Sequence, residues 1–228
     1  MKFKNDTKND QSHHSTSIIH NFFFLRISMT SKPNISAKME ILITGFGGQG
    51  IVLAGQIVGK AASLIDHKES TLTQSYGPEA RGGSCSAQVI ISDGFIHFPY
   101  VRQPDILVCM SQGGFDKYAS LIKETSILIV DQNLVNAGDT PCSRSFAIPA
   151  TRMAEELGRK MMANIVMVGF FTAITQAISL DAARSTVSDS VPRGTEALNL
   201  AAFDKGHDFG LATLKGRRKK AEGKKGSN

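Results

Sequence analysis

Residues 40–50 read Glu40-Ile41-Leu42-Ile43-Thr44-Gly45-Phe46-Gly47-Gly48-Gln49-Gly50, and this stretch decides the fold. Ile41, Leu42 and Ile43 form the short apolar run of a buried strand. The glycines follow at once, and behind them Ile51, Leu53, Ala54, Ile57, Val58, Ala61, Ala62 and Ile65 recur at helical spacing. Strand, turn and helix in that order give Gly45, Gly47 and Gly50 the context in which G-x-G-x-x-G carries meaning. Glycine permits the tight turn and lets backbone N–H groups come close to a phosphate. The helix N-terminus behind the turn adds partial positive charge. Gly48 bares the loop further, and Gln49 offers an amide at its rim. The residues alone leave three readings open: a phosphate-bearing ligand, a partner's backbone, or a turn that only packs helix on strand. A dinucleotide site also requires an acidic residue about 20 positions on, at the end of the second strand. Glu69 stands near that distance but precedes the next candidate strand, which weighs against NAD.

Working outward, residues 70–74 read as a strand, and 85–92 as another with Ala87, Val89 and Ile91 on one face. Ser92-Asp93-Gly94 is expected to turn the chain into a hairpin partner at 95–98. Buried strands are expected at 106–110, 126–131 and 145–148. Helices are expected at 115–123, 150–158, 164–178, 181–190 and 194–205. The fold class is therefore α/β: a Rossmann-like, mostly parallel sheet flanked by helices, with one antiparallel hairpin.

Between the first two strands after the glycine turn lies Tyr76-Gly77-Pro78-Glu79-Ala80-Arg81-Gly82-Gly83. Pro78 fixes its own φ, while Gly77, Gly82 and Gly83 admit conformations that other residues resist. Arg81 could present a bidentate fork to a carboxylate or phosphate. Equally, Glu79 and Arg81 could form a salt bridge that only fixes the loop.

Charge divides the 228 residues into three parts. From Lys215 onward seven basic residues stand against Glu222, a balance of +6, and residues 1–38 carry +4. Of the net +6, residues 39–214 therefore hold −4. Residues 1–38 lack periodicity and are expected to be a disordered extension, or a start codon placed upstream of Met39. Residues 39–210 form the domain, and 211–228 a basic disordered tail; contact of that tail with nucleic acid is the less favoured reading. No stretch has the ~18–20 apolar residues of a membrane helix, and no secretory signal is evident. Cys85, Cys109 and Cys142 are far apart and odd in number, which suits a cytoplasmic protein and leaves no metal or cluster site. His67, His97 and His207 have no candidate nucleophile beside them. Met161, Met162 and Met167 read as core or interface filler, and the chain shows no catalytic set of its own.

Four segments together, GFGGQGIVLAGQIVGKAA at 45–62, QSYGPEARGGSCSAQVIISD at 74–93, PDILVCMSQ at 104–112 and NIVMVGFFTAIT at 164–175, resemble the gamma subunit of 2-oxoacid:ferredoxin oxidoreductases. NLAAFDKG at 199–206 is similar to that family's closing helix, and the YGPEARGG form looks most like the 2-oxoglutarate type. The resemblance implies CoA-dependent oxidative decarboxylation of 2-oxoglutarate to succinyl-CoA, with electrons passed to ferredoxin. Thiamine diphosphate, magnesium and iron–sulfur clusters would then sit on alpha and beta partners, with a ferredoxin-like delta partner in many members. It also implies that Gly45, Gly47, Gly48, Gln49 and Gly50 meet a phosphate or coenzyme A. Tyr76, Gly77, Pro78, Glu79, Arg81, Gly82 and Gly83 would form a subunit interface or active-site wall. The alternatives are a gamma subunit for pyruvate or branched-chain 2-oxoacids, and a free-standing NAD(P)-binding oxidoreductase.

Overall fold

The apolar run at 41–43 lies in β1 (Lys38–Phe46), a strand of a six-stranded sheet that is buried from Ile41 to Gly45. A computed structural model of the chain describes residues 38–76 and 83–225. The helix expected behind the glycine turn is α1 (Ile51–Lys60), extended by a π-helical turn over Ala61–Ile65. Ile51, Ala54, Ile57 and Val58 bury one face of α1. Its Gly55 lets the helix lie close on the sheet, where a Cβ would stand 2.7 Å from that of Ala87.

α1 leads to β2 (Glu69–Tyr76), which pairs with β3 (Ser84–Ser92). β3 lies between β2 and β1 and runs antiparallel to both, whereas β1, β4 (Ile106–Cys109), β5 (Ile127–Asp131) and β6 (Arg144–Ile148) run parallel. The order across the sheet is β2-β3-β1-β4-β5-β6. The antiparallel hairpin is thus β2–β3, and the one expected at 92–98 does not form. Both sides of β3 are already taken, Ser92 lying opposite Lys38 on one side and Glu69 on the other, so residues 95–98 have no edge to join. The expected Ala87, Val89 and Ile91 face is buried against α1 and its neighbours.

Two cores sandwich the sheet. Ile41, Ile43, Val89, Val108 and Ile129 face the larger one, with α1, Ile165, Phe170, Val187 and Phe203; Leu42, Leu107, Leu128 and Val130 face the smaller one, with Phe115 and Ile122. α2 (Gln112–Tyr118) starts earlier than the pattern at 115–123 suggests, because the Ser111 side chain caps it, accepting from the Gly114 amide at 3.1 Å. α3 (Ala150–Glu156) runs into Gly158 at φ +86. α4 (Ala163–Thr175) is buried on nearly every side. α5 (Leu180–Ser190) is capped by Ser179, whose own hydroxyl is held by Asp66 at 2.6 Å.

α6 (Glu196–Lys225) corrects the expectation of a disordered tail from residue 211, because the helix continues through the basic segment. Gly206, one residue past the expected helix end at 205, is a contact point. A Cβ on Gly206 would collide with the carbonyl of Val166, and one on Gly169 with the carbonyl of Phe203, so α4 and α6 touch backbone to backbone. Phe170, Phe171 and Phe203 are buried around this seam, worth about 1.5–3 kcal/mol each by removal from water. Farther along, the Arg217 guanidinium stacks 4.0 Å over the Phe146 ring and donates to the carbonyl of Ser145, tying the basic turns to β6. No described helix is long and apolar enough to cross a membrane.

Candidate functional site

β1 ends at Phe46, and the chain turns through Gly47, Gly48, Gln49 and Gly50 into α1. β1 connects toward β2, while β4 connects to β5 on the other side, so this turn lies at the switch point where ligands of α/β sheets bind. Gly48 at φ +96 and Gly50 at φ +73 occupy left-handed backbone that favours glycine. Gly45 leaves room for Gln49, whose Oε1 would stand 2.5 Å from a Cβ there.

Gln49 does not offer its amide to the rim as the sequence suggested. Its Oε1 accepts from the Phe46 amide at 2.6 Å and its Nε2 donates to the Met110 carbonyl at 2.8 Å, bridging β1 and the end of β4. The Gly47 amide donates to the Gly83 carbonyl at 3.0 Å, and the Gln49 amide to the Phe46 carbonyl at 3.1 Å. Asn164, buried at the start of α4, donates from Nδ2 to the Gly50 carbonyl at 3.1 Å. Among the described residues, the amides of Gly48 and Gly50 are left without a partner.

Those two glycines line a cleft of about 260 Å³ with Arg159, Met161 and Asn164, and Gly48 also borders a neighbouring cavity of about 230 Å³ with Lys160 and Thr151. Met161, 81% exposed, belongs to both linings, and Met162, otherwise part of the core, borders the first cleft. Lys160 pairs with Glu155 at 3.4 Å, while Arg159 has no ion pair among the described residues. The arrangement combines unpartnered amides, a helix N-terminus and a free guanidinium, which is chemistry for an anion. Arg159, Lys160 and Asn164 escaped the sequence reading, because they lie more than 100 residues from the turn. The one available signal was the basic pair directly after the Gly158 helix stop.

Of the second motif, Tyr76 ends β2 exposed and Gly83 touches Gly47. Gly77, Pro78, Glu79, Arg81 and Gly82 lie outside the described residues. The NAD requirement is not met: Glu69 is the first residue of β2, in the row of Lys38 at the start of β1, roughly 23 Å down the sheet from the glycine turn. β2 ends at Tyr76, and β3 separates it from β1 and the glycine turn. The three cysteines serve the interior. Cys85 lies on one face of the sheet and Cys109 and Cys142 on the other, and burial pushes the thiols of Cys85 and Cys109 up, with the Asp116 charge adding to it at Cys109. Among the described residues no three His, Cys, Asp or Glu side chains gather into a metal site.

Fold and site define a Rossmann-like α/β domain with a glycine turn at its switch point. The family model for pyruvate ferredoxin/flavodoxin oxidoreductase matches residues 40–209. The 2-oxoglutarate synthase subunit KorC of Methanocaldococcus jannaschii is 49% identical over 181 residues, covering 78% of this chain and 97% of the relative. The solved gamma subunit of a keto/oxoacid ferredoxin oxidoreductase from Geobacter sulfurreducens PCA superposes with a TM-score of 0.68 at 39% identity, covering 76% of this chain and 99% of that one. A 2-oxoglutarate:ferredoxin oxidoreductase from Magnetococcus marinus, solved with 2-oxoglutarate, coenzyme A and succinyl-CoA bound, shares the fold (TM-score 0.70, 23% identity, 77% of this chain, 31% of that one). The chain belongs to the pyruvate ferredoxin/flavodoxin oxidoreductase family.

Proposed function

We propose that this chain is the gamma subunit of a cytoplasmic 2-oxoglutarate:ferredoxin oxidoreductase, which makes succinyl-CoA and passes electrons to ferredoxin. The observation that carries the reading is the likeness to a 2-oxoglutarate synthase subunit over 97% of that subunit's length. Alpha and beta partners hold thiamine diphosphate, magnesium and the clusters, and a ferredoxin-like delta partner completes the assembly in some forms.

This chain's share is to receive the phosphate-bearing end of coenzyme A. The residues fit that group: the free amides of Gly48 and Gly50 meet phosphate oxygens at the start of α1, and Arg159 neutralises their charge. When bound, the coenzyme supplies the thiol that accepts the acyl group. Gln49 and Gly47 hold the turn in shape, and Asn164 fixes the Gly50 carbonyl from the wall of the cleft. At about 260 Å³ the cleft is smaller than a typical ~300–1,000 Å³ ligand site, so it takes one end of the coenzyme, and partner subunits enclose the remainder. The motif at 76–83, anchored to the turn through Gly83, docks against those partners.

The test is anaerobic purification of the tagged chain from its host, mass spectrometry of what accompanies it, and an assay of the complex across 2-oxoacids. Stoichiometric thiamine- and cluster-binding subunits with preference for 2-oxoglutarate support the reading. A solitary chain that binds NAD(P) tightly overturns it, and a preference for pyruvate or branched-chain 2-oxoacids corrects the substrate.

A further inference from the structure

The two edges of the sheet are treated differently. Arg217 covers β6, with its guanidinium on the Ser145 carbonyl and over the Phe146 ring. No described strand takes up the outer side of β2. An exposed edge templates further pairing unless charge, proline or a bulge blunts it. Ser70-Thr71-Leu72-Thr73-Gln74-Ser75-Tyr76 contains no charge, proline or glycine. This edge also holds an unexplained feature: the hydroxyls of Thr71 and Thr73 are buried without a hydrogen-bond partner. Buried polar groups are nearly always paired, so two orphans on one edge strand point to a partner for that strand.

We propose that β2 pairs antiparallel with β2 of a second copy, centred on Leu72, joining two six-stranded sheets across a two-fold axis. The strand is self-complementary in this register. Leu72 lies opposite Leu72, Thr71 opposite Thr73, Ser70 opposite Gln74 and Glu69 opposite Ser75. Apolar meets apolar, and no like charges oppose. A χ1 rotation at each threonine turns the orphan hydroxyls into cross-strand Thr–Thr pairs, once on either side of the axis. Centring the axis on Thr71 or Thr73 instead sets Leu72 against Ser70 or Gln74 and separates the Thr71–Thr73 pairs. Beside β2, a cavity of about 230 Å³ bordered by Gly59, Lys60, Ser70 and Leu72 gives the partner's side chains room on the α1 side.

Cysteine cross-linking of the full chain, purified with its partner subunits, reads the register directly. Directly opposed residues of an antiparallel pair have Cα atoms about 4.5–5.5 Å apart, within disulfide reach. The native cysteines are buried and contribute little background. Under mild oxidation Leu72→Cys is expected to give a band of doubled chain mass on a non-reducing gel. Ser70→Cys, opposite Gln74 instead of itself, stays a single band. Absence of the doubled band for Leu72→Cys, or equal bands from both variants, overturns the proposal. As a second measurement, Leu72→Lys should lower the mass of the assembly by light scattering with circular dichroism unchanged. An unchanged mass also overturns it.

Discussion

The Gly47 amide donates to the Gly83 carbonyl at 3.0 Å. That single bond ties the glycine turn to the residue that leads into β3, with a helix and a strand between them in the chain. A change on either side of the bond is therefore felt by the other.

Gln49 bridges Phe46 and Met110, and Gln49→Ala leaves an amide and a carbonyl unpaired at the end of the sheet. It is expected to lower stability by about 1–3 kcal/mol. A urea titration of wild type and variant measures it, and coincident midpoints would sink the structural role given to Gln49.

Arg159 is exposed, unpaired and part of the cleft lining. Arg159→Ala in the complete enzyme should raise KM for coenzyme A by roughly fivefold or more, the effect of losing one charge-assisted hydrogen bond. KM for the 2-oxoacid and kcat should hold. Unchanged KM for the coenzyme moves the coenzyme site elsewhere.

The α4–α6 seam makes a sharp contrast among glycines of one helix. Gly206→Ala drives a methyl into the Val166 carbonyl and should destabilise by about 1–3 kcal/mol or more. Gly216→Ala meets nothing within 4 Å and should be neutral, or stabilise by up to about 1 kcal/mol through helix propensity. Thermal denaturation of the two variants side by side decides it.

Glu40 loses solvation by burial, but the Lys38 ammonium at 2.7 Å and the amides of Arg102 and Gln103 outweigh that and hold its carboxyl below the ordinary 4.5. A lowered folded-state value means stability that is present above 4.5 and lost as pH falls through the lowered value. Glu40→Gln should cost about 1 kcal/mol near neutrality. The gap between variant and wild type should close in acid, and a gap independent of pH refutes this account of Glu40.

The strand–turn–helix from Lys38 to Lys60 was legible because each part has a local signature: an apolar run, four glycines, then a 3.6-residue period. Strand order was not. Asp93-Gly94 carries a genuine turn signal, but whether a hairpin follows depends on which strand edges remain free, and the insertion of β3 is a long-range fact. The same limit hid Arg159 and Asn164, which reach the glycine turn only once α4 has packed. In α6, composition pointed the wrong way. Gly206 and Gly210 resemble breakers and the lysines resemble a solvated tail, yet the glycines bring the helix onto α4 and Arg217 fastens its basic turns to β6.

The position of α6 in the chain gives its seam with α4 a consequence in time. Every strand precedes it, and Phe203 is still unmade when Ile148 completes β6. At roughly 5–20 residues per second on the ribosome, several seconds separate the two. From their own synthesis until that of Phe203, Gly169 and Phe170 await the surface that covers them, and only synthesis of α6 closes the larger core. A nascent chain stalled in that interval would carry the glycine turn's sequence on an open-sided sheet, a form that chaperones and proteases can distinguish from the finished subunit.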